Sequence, residues 1–137
     1  MKTTFKDLRL NTTRRRELID LTGEVVKVVR ESGVENGICL VYSMHSTSAI
    51  IINEGERGLM EDILAKIDED FPRGRAWLHN RIDDNADAHL AGAFIGPSVV
   101  IPVKGGSPCL GTWQSVFFVE LDGPRSGRRV VIEVLGS

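Results

Sequence analysis

Gly37-Ile38-Cys39-Leu40-Val41-Tyr42-Ser43-Met44, His45-Ser46-Thr47-Ser48, Ala49-Ile50-Ile51-Ile52-Asn53: the reading of this stretch decides the fold. Two almost continuous apolar runs flank four polar residues. Short apolar runs rich in β-branched side chains are the pattern of strands buried on both faces. The stretch therefore predicts two central strands joined by a polar connection too short to hold a helix.

Outward from there, residues 56–67 carry Leu59, Met60, Ile63, Leu64 and Ile67 at helical spacing, an amphipathic helix that Asn53 or Glu54 can cap. Pro72 and Gly74 break the pattern beyond it. On the N-terminal side, Phe5, Leu8 and Leu10 mark an edge strand within residues 3–13, and residues 16–21 read as a second short strand. Thr22 is placed to cap a helix that carries Val25, Val26, Val28 and Val29 in helical spacing and stops at Ser32-Gly33. Toward the C-terminus the pattern predicts a helix over 85–94, a strand over 98–103 and a turn over 104–108. Two last strands are expected over 111–121 and 129–135. Strands dominate and most neighbours are joined by turns. The expected class is α+β with a mainly antiparallel sheet, not an alternating doubly wound fold.

The 137 residues contain no repeat or linker, so one domain over 1–137 is expected. A net charge of −2 argues against nucleic acid and anionic membranes as partners. Arg14-Arg15-Arg16 reads as a solvated turn. No apolar run approaches the ~20 residues that cross a bilayer, and the N-terminus lacks the apolar core of a secretory signal. Cys39 and Cys109 read as buried small hydrophobes, and a cytoplasmic location is the expectation.

Three segments carry residues fit for chemistry. Hydroxyls of Ser46, Thr47 and Ser48 can donate to an anion such as phosphate, and His45 can bind metal or exchange protons. The same hydroxyls can equally satisfy their own loop backbone. Residues 79–89 hold His79, His89 and three aspartates, the ligand types of zinc and of acid–base sites, or else a charged surface loop. In Gly111-Thr112-Trp113-Gln114, glycine permits close approach of a ligand and Trp113 can stack on a heteroaromatic ring or enter the core. Three histidines are the complement of an open catalytic zinc site.

In order along the chain, His45-x-Thr47-Ser48-Ala49, Asn53-Glu54, Trp77-x-His79, His89, and Gly111-Thr112-Trp113-Gln114 with Glu120 and Arg128-Arg129 resemble the YjbQ family. Members of that family are described as secondary thiamine-phosphate synthases. The resemblance implies a sheet sandwich flanked by helices, assembled as a homotrimer, with a polar cleft at or near the subunit interface. It implies a weak or side activity that joins the pyrimidine and thiazole phosphate halves with loss of diphosphate. On that reading His45, His89 and Glu120 are catalytic, and Thr47, Ser48, Asn53, Glu54, Trp113, Gln114 and Arg128 bind substrate. His45, His79 and His89 would hold a divalent metal, zinc or magnesium. The chain has no dense acidic motif for a magnesium–diphosphate pair beyond Asp83, Asp84 and Asp87. The alternatives are a metal-dependent hydrolase and a non-catalytic trimer that binds a phosphorylated metabolite.

Overall fold

In the computed structural model, which describes Met1 to Ser137, the first apolar run is a strand paired on both sides. The elements are β1 (Lys2–Leu10), β2 (Glu17–Asp20), α1 (Thr22–Ser32), β3 (Asn36–Ser43), β4 (Ser48–Asn53), α2 (Arg57–Asp70), a short 3-10 helix (Leu78–Arg81), α3 (Ala86–Ile95), β5 (Ser98–Lys104), β6 (Ser107–Pro108), β7 (Ser115–Glu120) and β8 (Arg128–Gly136). Five strands form one sheet in the order β1-β8-β3-β5-β6, and three form another in the order β2-β7-β4. Every pairing is antiparallel. This is an α+β fold of two packed sheets with three helices. No helix is long and apolar enough to cross a membrane.

Strand alternation explains the layers. Cys39 and Val41 of β3, Ile101 and Val103 of β5, and Val130, Ile132 and Val134 of β8 point at the small sheet. There they meet Ile50, Val116 and Phe118, with Val25, Val28 and Val29 of α1 closing the same core. The other face of the small sheet presents Leu18, Ala49, Phe117 and Val119 to Leu64 and Ile67 of α2 and Ala88 and Ala91 of α3. Central β7 is thus buried on both sides, and each of its four apolar side chains contributes roughly 1.5–3 kcal/mol of burial. The outer face of the large sheet has no helical cover and leaves Phe5, Ile38, Tyr42 and Val100 exposed.

The ends of the elements correct several expectations. Thr22 does not cap α1: its N–H donates to Asp20, and its hydroxyl instead accepts the N–H of Val116 in the neighbouring sheet. Neither Asn53 nor Glu54 caps α2, because the helix starts later and the Glu56 carboxylate accepts the N–H groups of Gly58 and Leu59. Residues 111–114 are a turn, not the start of a strand, closed by the Gln114 N–H on the Gly111 carbonyl. Cys109 is exposed, while Cys39 is buried as expected. Arg14 is solvated as expected, but Arg16 is buried and Arg15 only partly exposed; Arg15 and Arg16 depart from the expected solvated turn. They turn inward onto the carboxylate of Asp87, which has no exposed surface, and Arg15 also reaches Asp122.

Candidate functional site

The four polar residues after β3 carry the chain from the large sheet to the small one. Ser43 and Ser48 close the neck of this crossover with a hydroxyl–hydroxyl hydrogen bond, and Ser48 Oγ also donates to the His45 carbonyl. Thr47 Oγ1 accepts from Arg128 Nη2 at 2.9 Å. Thr47 and Ser48, expected to meet substrate, are buried and hydrogen-bonded within the protein, and of the two only Ser48 lines the cavity beside His45. The His45 side chain and the exposed Ser46 are left at the surface of the crossover.

His45 is held by the neighbouring strand. Its Nε2 accepts the backbone N–H of Arg129 at 2.9 Å, which makes Nε2 the unprotonated nitrogen and leaves the proton on Nδ1. Burial pushes the imidazole pKa below the ordinary 6.5, the charge of Arg128 pushes it the same way, and the opposing pull of Glu120 is smaller. The ring is neutral at neutral pH and offers a fixed N–H donor.

Arg128 and Glu120 form the footing beneath it. Glu120 Oε1 accepts from Thr12 Oγ1 at 2.8 Å and Arg128 Nε at 2.9 Å, while Oε2 accepts the N–H groups of Leu121 and Asp122 and an Arg128 Nη2. Burial raises the Glu120 pKa, but the Arg128 hydrogen bonds, the Asp122 N–H and the Thr12 hydroxyl outweigh it, and the net direction is down. A carboxylate with no exposed surface and five donors has no free lone pair for proton transfer. The catalytic expectation for Glu120 and the substrate contact for Arg128 give way to a positioning role: the pair anchors the start of β8, whose next N–H orients His45.

His89 comes to the same cavity from the first turn of α3. The approach depends on Gly92, one turn on, where a Cβ would lie 2.7 Å from the Ser46 carbonyl oxygen and 3.1 Å from that of Ser48. Any larger side chain there lifts α3 off the crossover. His45 and His89 then line one cavity of about 470 Å³ together with Tyr42, Ser46, Ala93 and Pro97. Asp87 and Asn85 fix the start of α3 from below: Asp87 accepts from Arg15 and Arg16, and Asn85 Nδ2 donates to Asp122 at 2.8 Å. Nothing in the spacing of Arg15, Asp87 and Asp122 announces this network, and the glycine inside an alanine-rich helix is the one local signal of close packing.

His79, on the 3-10 helix, packs edge to face with His89, the ring centroids 4.7 Å apart. No three of the chain's His, Cys, Asp and Glu side chains form a group able to hold an ion. The three-imidazole site expected for zinc or magnesium is not built within one chain, because His45 has given Nε2 to the backbone while His79 and His89 face each other. Asp83 and Asp84 are exposed and Asp87 is consumed by arginines, so no acidic cradle takes its place.

The Trp113 turn lies elsewhere. β4 pairs with β7 so that Ser48 opposes Glu120 and Asn53 opposes Ser115. The crossover and the 111–114 turn thus sit at opposite ends of the same strand pair, roughly 17 Å apart at ~3.4 Å per residue. Trp113 is 72% exposed and lines a separate cavity of about 330 Å³ with Glu54, Thr112 and Ser115. Gln114 Oε1 is bound to the Gly111 N–H and Asn53 Oδ1 to the Glu54 N–H. Within one chain the expected union of Trp113, Gln114, Asn53 and Glu54 with the histidines does not occur.

Comparison with known proteins places this arrangement. The family model described as "UPF0047 protein YjbQ-like" matches residues 6–137. The chain belongs to the YjbQ-like UPF0047 family. A UPF0047 protein of Archaeoglobus fulgidus is 48% identical over 94% of this chain and 99% of its own length. The UPF0047 protein YugU of Bacillus subtilis is 37% identical over 96% of this chain and 99% of its own. Among solved structures, a YbjQ-like protein of unknown function from Sulfolobus solfataricus P2 superposes with a TM-score of 0.98 at 53% identity, covering 99% of both chains. A hypothetical protein from Aeropyrum pernix K1 gives 0.92 at 44% identity, covering 98% of this chain and 99% of its own. The two-sheet frame that holds the crossover is therefore the frame of this YjbQ-like family.

Proposed function

We propose that this chain is a small-molecule enzyme of the thiamine-phosphate synthase type, acting on a phosphorylated ligand in the His45–His89 cavity as a weak or side activity. The observation that carries the reading is the fixed, neutral His45 on the wall of a cavity of about 470 Å³ that it shares with His89, within the size range of small-molecule sites. In the joining reaction, the thiazole nitrogen lone pair forms the new C–N bond to the pyrimidine methylene. The C–O bond to diphosphate breaks, and its electron pair leaves with the diphosphate. Negative charge grows on the leaving oxygen, where an oriented N–H donor is worth most. His45 Nδ1–H and the Ser46 hydroxyl supply such donors, and His89 closes the opposite wall. The test is thiamine phosphate formation from the two halves by the purified protein. Product is expected, reduced about 10²-fold or more in His89→Ala. A ligand that binds without turnover would leave the trimeric binder in place of the enzyme.

The same reading includes a homotrimer, formed through the uncovered face of the large sheet. Contiguous apolar surface of this kind is rarely left to solvent. Ile38, Tyr42 and Val100 lie on adjacent strands there, and Tyr42 also walls the histidine cavity, so the interface would border the site. Light scattering is expected to give three times the 15.1 kDa chain mass, and Val100→Glu to give the monomer. A monomeric wild type overturns the assembly.

A further inference from the structure

An unpaired charge stands in the middle of the uncovered face of the large sheet. Glu133 of β8 lies opposite Phe5 of β1 on one side and Leu40 of β3 on the other, and Leu40 in turn lies opposite Val100 of β5. The row above carries Leu135 and Ile38, and the row below Val131 and Tyr42. Strand alternation turns all of these away from the core. Asp7 and Arg129, at the border of the face, pair with each other at 2.8 Å. No ion pair of the chain includes Glu133, which is half-buried among its apolar neighbours. Covering such a face strips the carboxylate of its water, so the surface that covers it has to bring a cation.

The complementary pattern lies on the 3-10 helix. Leu78 and Ile82 are 72% and 85% exposed, and the exposed Arg81 beside them enters no ion pair either. Side chains three apart eclipse in a 3-10 helix, so Leu78 and Arg81 project from one side of it. Contacts within the segment hold its shape. Trp77 Nε1 donates to the Pro72 carbonyl at 3.1 Å, Arg73 pairs with Asp84 at 3.5 Å, and the Arg75 guanidinium stands 4.7 Å from the indole ring centre. A patch held in this way needs little ordering when it docks. The exposed Trp113 turn is of the wrong sign, because Glu54 and Glu56 beside it would repel Glu133.

We propose that the 78–82 segment of a second copy of this chain docks on the outer face of the large sheet, with the partner's Arg81 paired to Glu133. The partner's Leu78 and Ile82 then cover the apolar rows around it. This docking rests on the homotrimer reading of that face and identifies what covers it. Two different patches of one chain meet, so the contact repeats head to tail and either closes a ring or runs on as a filament. The two patches adjoin, as a small ring requires: Tyr42 of the face and His89 wall one cavity, and His89 packs against His79 of the 3-10 helix. Each docked segment borders its neighbour's Tyr42, at the rim of the His45 cavity.

Light scattering of charge variants tests this, with circular dichroism to follow the fold. Arg81→Glu and Glu133→Arg each set like charges across the contact, and each is expected to turn a trimer of the 15.1 kDa chain into monomer. The double variant restores opposite charges and is expected to regain the trimer, at a concentration about tenfold or more below that needed by either single variant. Ile82→Glu, confined to the segment, is also expected to be monomeric, and it stands in where Glu133→Arg does not fold. A trimer that breaks in Val100→Glu but persists in Arg81→Glu and Ile82→Glu overturns the docking and leaves the assembly in place. Failure of the folded double variant to regain the trimer overturns it too. A monomeric wild type overturns the homotrimer reading and the docking together.

Discussion

Arg128→Met is expected to lower folding stability by about 3–5 kcal/mol, because it leaves the Glu120 carboxylate buried without its counter-charge. Glu120 has no exposed surface, and the guanidinium supplies two of its five hydrogen bonds. Urea denaturation reads the loss as a lower midpoint at unchanged slope. A double variant, Glu120→Leu with Arg128→Met, removes both charges at similar volume and is expected to regain most of the deficit. A single variant as stable as wild type would show that the pair is not holding β8. The pH dependence comes from the sign of the shift. The folded Glu120 pKa lies below its ordinary 4.5, so the unfolded chain takes up the proton first as pH falls. The wild type has this contribution in full above about pH 4.5 and loses it progressively below. The double variant is expected to lack that acid-side decline.

The same residues show what is legible in the sequence. Ser115-Val116-Phe117-Phe118-Val119 and the runs around His45 are readable as strands because burial on both faces leaves an unbroken apolar string. Class and element order emerge from such strings and from the glycines between them. The site is readable only in part. His45 and His89 do share a cavity, yet residue type alone does not separate hydroxyls that face a ligand from those that brace a crossover. Thr47 is of the second kind, and Ser48 braces the crossover while lining the cavity. Glu120 and Arg128 carry side chains fit for catalysis and spend them on anchoring, which depends on pairing across residues far apart in the chain. Motif order groups Trp113 with the histidines, but order along a chain says nothing of distance. The β4–β7 register sets that distance, and it places the turn at the far end of the strands.

His45→Ala is expected to cut thiamine phosphate formation by roughly 10²–10⁴-fold, the usual contribution of one oriented proton donor. The cavity is formed by the crossover and α3, so the fold should survive the change, and circular dichroism should match wild type. A rate within threefold of wild type (about 0.65 kcal/mol of barrier) would remove His45 from the chemistry. The pH profile is the sharper measurement. Burial first, and the charge of Arg128 second, hold the ring pKa below 6.5. As pH falls, the unfolded chain protonates this histidine before the folded one does, so its contribution to stability is full above 6.5 and declines through the lower folded value. Activity should track the same ionisation. It stays level through pH 6.5 and breaks only beneath it, where a proton on Nε2 opposes the Arg129 N–H and turns the ring from its place. The His45 ring signals in an NMR titration report that ionisation independently of turnover. A midpoint at or above 6.5 means the ring is not held as the Arg129 bond requires, and the donor geometry on which the proposed chemistry depends is then absent.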